Sequence, residues 1–323
     1  MKKILLTFNP DMKDKKRLAQ LFSEYEVICS SDNDAVLLSE EIRTDIEVIV
    51  GSVPSTKLKL FPNLKWLQLP SAGADGYTAD SLGNAILTNA SGTYGHAISE
   101  YMVGAIFNIY KKFHLYRDLE KLGEWKDLGE VKSVMGSTIL SVGLGDIGGN
   151  FSELMKRFGC KIIGVRKNIS KNPHCLDKLV SIDDIDEVIS EADIIAISVP
   201  GSDETKGMFS RERIEKIKDG AVIINVGRGI VIDTEALCDA LESGKLAGAV
   251  LDVTDPEPLP HDHRLYKIPN AVVTPHVSGR LRGMPETYQH FIAILLDNAN
   301  RYVSGMPLCN VVDTKSGYRV DTP

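Results

Sequence analysis

Arg228, Glu257 and His276 are three side chains whose types and placement could do chemistry together. An arginine grips a planar carboxylate through two parallel N–H bonds and polarises the carbonyl beside it. A histidine titrates nearest neutral pH, so it can hand a proton to an alkoxide as that alkoxide forms. A carboxylate against the second ring nitrogen fixes the tautomer and stabilises the imidazolium. Reduction of a 2-oxo acid needs this set, with the hydride itself carried by a nicotinamide.

Taken singly, each of the three is ordinary. An arginine after a strand is usually an ion-pair member, a glutamate among prolines is usually solvated, and a lone histidine is usually structural or exposed. His96, His114, His174, His261, His263 and His290 are read in that ordinary way. Placement sets the three apart. Arg228 ends the apolar run 221–227 and lies between two glycines. Glu257 lies just past Val253 in Asp255-Pro256-Glu257-Pro258. His276 closes 271–275, with a proline before it and Val277-Ser278-Gly279 after it. In a parallel sheet covered by helices, ligands lie beyond the carboxyl ends of the strands, where all three fall.

A second constellation lies upstream. The run Thr138–Val142 passes directly into Gly143-Leu144-Gly145-Asp146-Ile147-Gly148 and then into a helical pattern. In this strand-to-helix setting, the three glycines of G-x-G-x-x-G serve a tight turn, a close approach to pyrophosphate and close helix–strand packing. The new helix directs its unpaired N–H groups and positive dipole end at the phosphates. The next strand ends at Arg166-Lys167, where NAD sites usually carry an acidic residue for the ribose hydroxyls. A basic pair there attracts the 2′-phosphate of NADP, so NADP is favoured over NAD.

The elements that must position these groups are legible as alternation. Short apolar runs at 4–8, Glu26–Cys29, Ile46–Val50 and 64–69, with a weak one at 86–87, flank a helical stretch at 13–23. A long helix is predicted from Ala97 towards Tyr116, because Met102, Ile106, Ile109 and Phe113 recur at steps of three and four. Six further strands are predicted at Thr138–Val142, 161–165, 193–199, 221–226, 249–253 and 271–274. Between them fall helices at 148–158, 183–190, Arg211–Lys216 and 234–243. A last amphipathic stripe includes Phe291, Ile292, Leu295, Leu296 and Tyr302, and the polar tail after Val312 is expected to be loosely ordered.

Composition excludes several function classes. The length suits two ordinary domains, and a net charge of −7 with no dense basic stretch argues against nucleic acid as a main partner. Five scattered cysteines without a CxxC pair argue against disulfides and against a bound metal. No apolar run approaches the roughly 20 residues that span a bilayer, and the short run 4–8 reads as a strand rather than a secretion signal. A cytoplasmic location is the expectation.

The motifs Asn225-Val226-Gly227-Arg228-Gly229, Leu251-Asp252-Val253 through Glu257-Pro258-Leu259-Pro260, and Thr274-Pro275-His276-Val277-Ser278-Gly279 resemble those of the D-isomer-specific 2-hydroxyacid dehydrogenase family. The likeness covers nearly the whole chain and points towards its glyoxylate/hydroxypyruvate reductase-like members. It implies an α/β architecture of two doubly wound parallel-sheet domains, a Rossmann cofactor domain (99–283) inserted in a flavodoxin-like substrate domain (1–98 and 284–323). It implies that Arg228, Glu257 and His276 are catalytic and that Leu69 to Asp75 forms a substrate loop, with Ser71, Ala72 and Gly73 binding substrate and the backbone N–H groups of Ala72 and Gly73 on the carboxylate. Asp252 is implied to bind the nicotinamide amide, while Pro200, Thr205, Val226 and Ser278 join the cofactor set. Asn89 to Tyr94 resembles the interdomain crossover, and the region 97–128, with Trp125, resembles a homodimer interface. Three other readings stand beside this one. Phosphoglycerate dehydrogenase is one, although its longer members carry an extra domain. Formate dehydrogenase relatives lack the glutamate. A dinucleotide-sensing binding protein of the corepressor type shares the fold.

Overall fold

The computed structural model describes residues 1–31, 34–169, 174–315 and 319–320. The chain divides into two compact units, one made of 1–94 with 281–323 and the other of 95–280.

The first unit opens with β1 (Lys3–Leu6), α1 (Met12–Leu21), β2 (Glu26–Cys29), α2 (Glu40–Asp45), β3 (Ile46–Val50), β4 (Trp66–Gln68), α3 (Ala79–Leu82) and β5 (Ile86–Thr88). Its five strands are all parallel, in the order β2-β1-β3-β4-β5, the flavodoxin-like arrangement. β1 and β3 carry unbroken runs of buried aliphatic residues because helices cover both faces of the sheet. The weak run at 86–87 is a true strand, and it pairs in register with β4. The short helices α2 and α3 were not predicted. Each is a turn or so long and begins at a hydroxyl cap, Ser39 and Thr78, too short for periodicity to register.

The second unit begins with α4 (Gly95–Tyr110) and α5 (Phe113–Leu122). The predicted continuous helix is thus two helices. Lys112 takes a left-handed φ of 58° and becomes the N-cap of α5. The buried stripe ends at Ile109 and Tyr110, and Phe113 is exposed; the spacing continued, but the core that used it did not. Then come β6 (Thr138–Val142), α6 (Asp146–Arg157), β7 (Lys161–Arg166), β8 (Lys178–Ser181), β9 (Ile194–Ile197), α7 (Arg211–Lys216), β10 (Ala221–Asn225), α8 (Thr234–Glu242), β11 (Leu246–Leu251) and β12 (Ala271–Val273). The sheet is parallel, in the order β12-β11-β10-β9-β6-β7-β8. It has seven strands where six were predicted. β8 escaped because it is an edge strand with only Val180 buried, so it carries no apolar run. The predicted helix at 183–190 is instead two 3₁₀ turns, Ile182–Glu187 and Ile189–Glu191. Its acidic residues near the start compete with helical backbone bonding, and Ser181 caps the first turn.

The chain ends with α9 (Pro285–Val303), in the first unit. Its buried stripe of Tyr288, Phe291, Ile292 and Leu295 packs beside α1, with Pro285 in the first turn, where its missing N–H costs nothing. Part of the polar tail is held: Val312 and Arg319 form an antiparallel bridge and Val320 N–H donates to the Val311 carbonyl at 2.7 Å. Residues 316–318 and 321–323 of that tail lie outside the described residues.

Candidate active site

Strand order decides what meets what. In the second unit the order of the strands reverses between β6 and β9, the switch point where an open α/β sheet leaves a crevice. Along the carboxyl edge the sequence-predicted residues fall in order. His276 follows β12, Asp252 and Glu257 follow β11, and Val226 and Arg228 follow β10. Pro200 and Thr205 follow β9, Gly143–Gly148 follow β6, and Arg166 and Lys167 close β7. The three catalytic candidates leave from three consecutive strands, whose outer members lie about 10 Å apart. One small molecule can reach all three.

Gly143 and Gly148 show why glycine is needed in the phosphate loop. Gly143 has φ 93°, and a Cβ on Gly148 would stand 1.8 Å from the Gly143 carbonyl oxygen. Nothing lies within 4 Å of a Cβ at Gly145, the N-cap of α6, and no side chain caps that helix. The loop therefore presents open backbone N–H groups at a helix start, which fits a pyrophosphate. Ile147 is half-buried, whereas the Asp146 carboxylate turns to Gly95 N–H at the start of α4, 2.7 Å away, and to Asn150.

Arg228 stands between two close approaches. A Cβ on Gly227 would meet the Val199 carbonyl at 2.4 Å, and one on Gly229 would meet the Thr254 carbonyl carbon at 2.0 Å. The Gly-Arg-Gly string thus lets the β10 loop wedge against its neighbours on both sides. Arg228 is half-buried and donates from Nη1 to the Gly227 carbonyl at 2.7 Å. Val226 is buried.

Glu257 and His276 are joined. Glu257 Oε1 accepts from His276 Nδ1 at 2.7 Å, with the side chains 42% and 48% exposed. This bond selects the tautomer with the proton on Nδ1 and turns Nε2 away from the carboxylate. His276 is held in the left-handed region, φ 51°, and its N–H donates to the carbonyls of Asp252 and Thr274.

The residue organising this turn is Asp252, only 1% exposed. Its carboxylate accepts from Thr274 Oγ1 at 2.6 Å, Val277 N–H at 2.8 Å, Ser278 N–H at 2.9 Å and the Ser278 hydroxyl. A carboxylate has about four acceptor sites, and all are used from within the protein. A nicotinamide amide at Asp252 would have to displace one of these donors. Tyr101 extends the network, its hydroxyl 2.6 Å from Thr274 Oγ1. Burial pushes the Tyr101 phenol up, and the nearby Asp252 charge adds to the rise. Sequence reasoning missed Tyr101, because a single tyrosine on a helix carries no motif.

Two residues of the cofactor set have partners within the protein. Thr205 is buried, donating its hydroxyl to the Pro200 carbonyl at 2.7 Å and accepting from Ser202 N–H at 2.9 Å. Lys167 is paired with Glu204, its Nζ 2.8 Å from both carboxylate oxygens.

In the first unit, the loop after β4 is held from beneath. Ala90 N–H donates to the Ser71 carbonyl at 2.9 Å, Asn89 Nδ2 to the Ala72 carbonyl at 2.7 Å, and Tyr94 Oη to the Pro70 carbonyl. The Ser71 hydroxyl donates to the Gly73 carbonyl at 2.7 Å. With its carbonyls so engaged, the loop keeps a set shape while Ala72 and Gly73 remain partly exposed. A cavity of about 690 Å³ in the same unit, between α1 and α9, is lined by Asp14, Arg17, Arg282 and Tyr288 among others. None of the predicted site residues lines it.

Among the described residues no helix is long and apolar enough to cross a membrane, and no cluster of His, Cys, Asp and Glu could hold a metal ion.

Comparison with known proteins adds three findings. The family model described as "D-isomer specific 2-hydroxyacid dehydrogenase, NAD binding domain" matches residues 103–278. Among curated relatives, a chloroplastic/mitochondrial formate dehydrogenase of Arabidopsis thaliana is 32% identical over 73% of this chain and 64% of its own length. A glyoxylate reductase of Thermofilum pendens is 31% identical over 76% of this chain and 72% of its own. Among solved structures, a D-isomer-specific 2-hydroxyacid dehydrogenase family protein of Aeromonas salmonicida superposes with a TM-score of 0.82. It is 27% identical, covering 97% of this chain and 99% of that one.

Proposed function

The chain belongs to the D-isomer-specific 2-hydroxyacid dehydrogenase family, and from that membership we propose that it reduces a small 2-oxo acid to a D-2-hydroxy acid with NAD(P)H, NADPH being favoured. The single observation that carries this reading is the Glu257–His276 bond, set on the strand end next but one to that of Arg228.

When bound, the nicotinamide supplies the hydride. Arg228 holds the substrate carboxylate and polarises the neighbouring carbonyl. His276, protonated on both nitrogens, gives the Nε2 proton to the oxygen as negative charge develops there. Glu257 keeps the ring aimed and offsets the imidazolium charge. Asp252 binds nothing reactive in this scheme. It pins the backbone of Val277 and Ser278 and so fixes where His276 stands.

Arg166 at the end of β7 supports the preference for NADPH, since a guanidinium there binds a 2′-phosphate bidentately. A charge-assisted bond of this kind contributes about 1.5–3 kcal/mol, a preference of tenfold or more. The experiment is oxidation of NADPH and of NADH in the presence of a panel of 2-oxo acids, with wild type and Arg166→Asp at fixed ionic strength. Turnover with glyoxylate or hydroxypyruvate, and a swing towards NADH in the variant, are expected. Tight dinucleotide binding without turnover of any 2-oxo acid would favour the corepressor-type binding protein instead.

A homodimer is part of the proposal. Trp125 is fully exposed, and Phe113, Leu122 and Met135 expose large apolar side chains on either side of it. Exposed apolar side chains of this size favour a cover, and in this family the corresponding region pairs two copies.

A further inference from the structure

Lys167 and Glu204 belong to different strand ends. Lys167 directly follows β7, and Glu204 lies in the turn after β9. Both strands pair with β6, one on each side. The Lys167–Glu204 bridge therefore arches over the end of the strand that delivers the phosphate loop. Both of its side chains are nearly two-thirds exposed.

The turn that presents Glu204 is tightly held. Thr205 ties it to Pro200 and Ser202, Gly207 N–H donates to the Ile230 carbonyl at 2.8 Å, and Phe209 N–H to the Val231 carbonyl at 2.9 Å. Glu204 is thus delivered to its position by buried contacts rather than by its own ion pair. In the proposed cofactor site, the adenosine ribose lies at the end of β7. An ammonium there is held by the Glu204 carboxylate, already in place, and would also be drawn by the 2′-phosphate that only NADP brings.

We propose that Glu204 is a specificity-determining residue, an internal competitor for Lys167 that weakens NADP binding and leaves NAD binding almost untouched. The proposal rests on the dinucleotide reading of the site, but not on which cofactor the wild type prefers. A phosphate dianion arriving beside Lys167 must either draw the ammonium away from Glu204 or accept a carboxylate as its neighbour. Either course costs affinity, and a ribose hydroxyl incurs neither cost. Because the bridge is exposed, the effect is modest: an exposed ion pair plus a like-charge contact in water corresponds to about a three- to tenfold change.

The test is direct calorimetric titration of NADP⁺ and NAD⁺ into wild type, Glu204→Gln, Lys167→Ala and the double variant. Glu204 lies in an exposed turn anchored by other residues, so the amide variant keeps the fold. Glu204→Gln should tighten NADP⁺ by about three- to tenfold and leave NAD⁺ within about twofold. The gain should shrink as salt is added and should be smaller in the Lys167→Ala background, because the competition runs through that ammonium. Unchanged NADP⁺ affinity, or equal change for both dinucleotides, would overturn the role of Glu204 while leaving the proposed reductase intact. Failure of the wild type to bind either dinucleotide would overturn both.

Discussion

At the scale of single residues, the proposed chemistry depends on orientation more than on strength of contact. The Glu257–His276 pair is nearly half open to water, so it contributes about 0–1 kcal/mol to folding. Glu257→Gln should therefore leave the melting temperature almost unchanged, yet lower kcat for reduction at least about tenfold, as loss of an orienting partner does. His276→Ala should lose about 10²–10⁴-fold in kcat, the usual contribution of a positioned acid. A His276→Ala protein with near-normal turnover would end the assignment. For Arg228 the informative change is to lysine, which keeps the charge and loses the fork. We expect kcat/KM for the 2-oxo acid to collapse while the Kd of the dinucleotide hardly moves; equal loss in both would mean that Arg228 holds the loop and not the substrate.

At the scale of elements, burial and hydrogen bonding set the register that the site depends on. Asp193, just before β9, accepts from Thr138 N–H at 2.8 Å and from Lys218 Nζ at 2.7 Å. Burial works to raise its carboxyl, but these bonds prevail and hold it below the ordinary carboxylate range. A depressed folded value means stability that is present above the unfolded value and lost as pH falls through the folded one. Asp193→Asn should therefore lower the melting temperature at neutral pH, with the gap to wild type closing as the solution is acidified below about pH 4. A gap independent of pH would show that the charge of Asp193 is not what ties β6 to β9. Elements were legible where both faces are buried: β3, β6 and β10 are mostly apolar and almost wholly buried. They were illegible at edges and breaks. β8 buries one residue in four, and the stop at Lys112 leaves the helical spacing of the sequence intact.

At the scale of the molecule, assembly is the open quantity. Between Phe113 and Met135 the large apolar side chains of Phe113, Leu122, Trp125, Val131 and Met135 are exposed, and pairing two copies would cover them. Light scattering of the wild type should report a dimer, and Trp125→Glu should shift the mass towards the monomer at micromolar concentration. A wild-type monomer at every concentration would remove Trp125 from the interface. Dinucleotide binding should also stabilise the protein by mass action, about 2.7 kcal/mol at a hundredfold excess over Kd.

The sequence by itself determined the α/β class, because alternating apolar runs and amphipathic stretches admit little else. It also determined the phosphate loop, where the approach of Gly148 to the Gly143 carbonyl is local, whereas the glycines around Arg228 answer to Val199 and Thr254 on neighbouring loops. What only the tertiary structure decided are the partnerships between distant residues. His276 meets Glu257 across 19 positions, and Asp252 meets Val277 and Ser278 across 25 and 26. Lys167 turns to Glu204 across 37, a pairing that the basic Arg166-Lys167 string did not announce. The physical reason is that a hydrogen bond between loops depends on strand order, and strand order is a property of the folded sheet. Composition and spacing show which residues stand at strand ends; only the sheet brings β11 beside β12, and sets β7 and β9 astride β6.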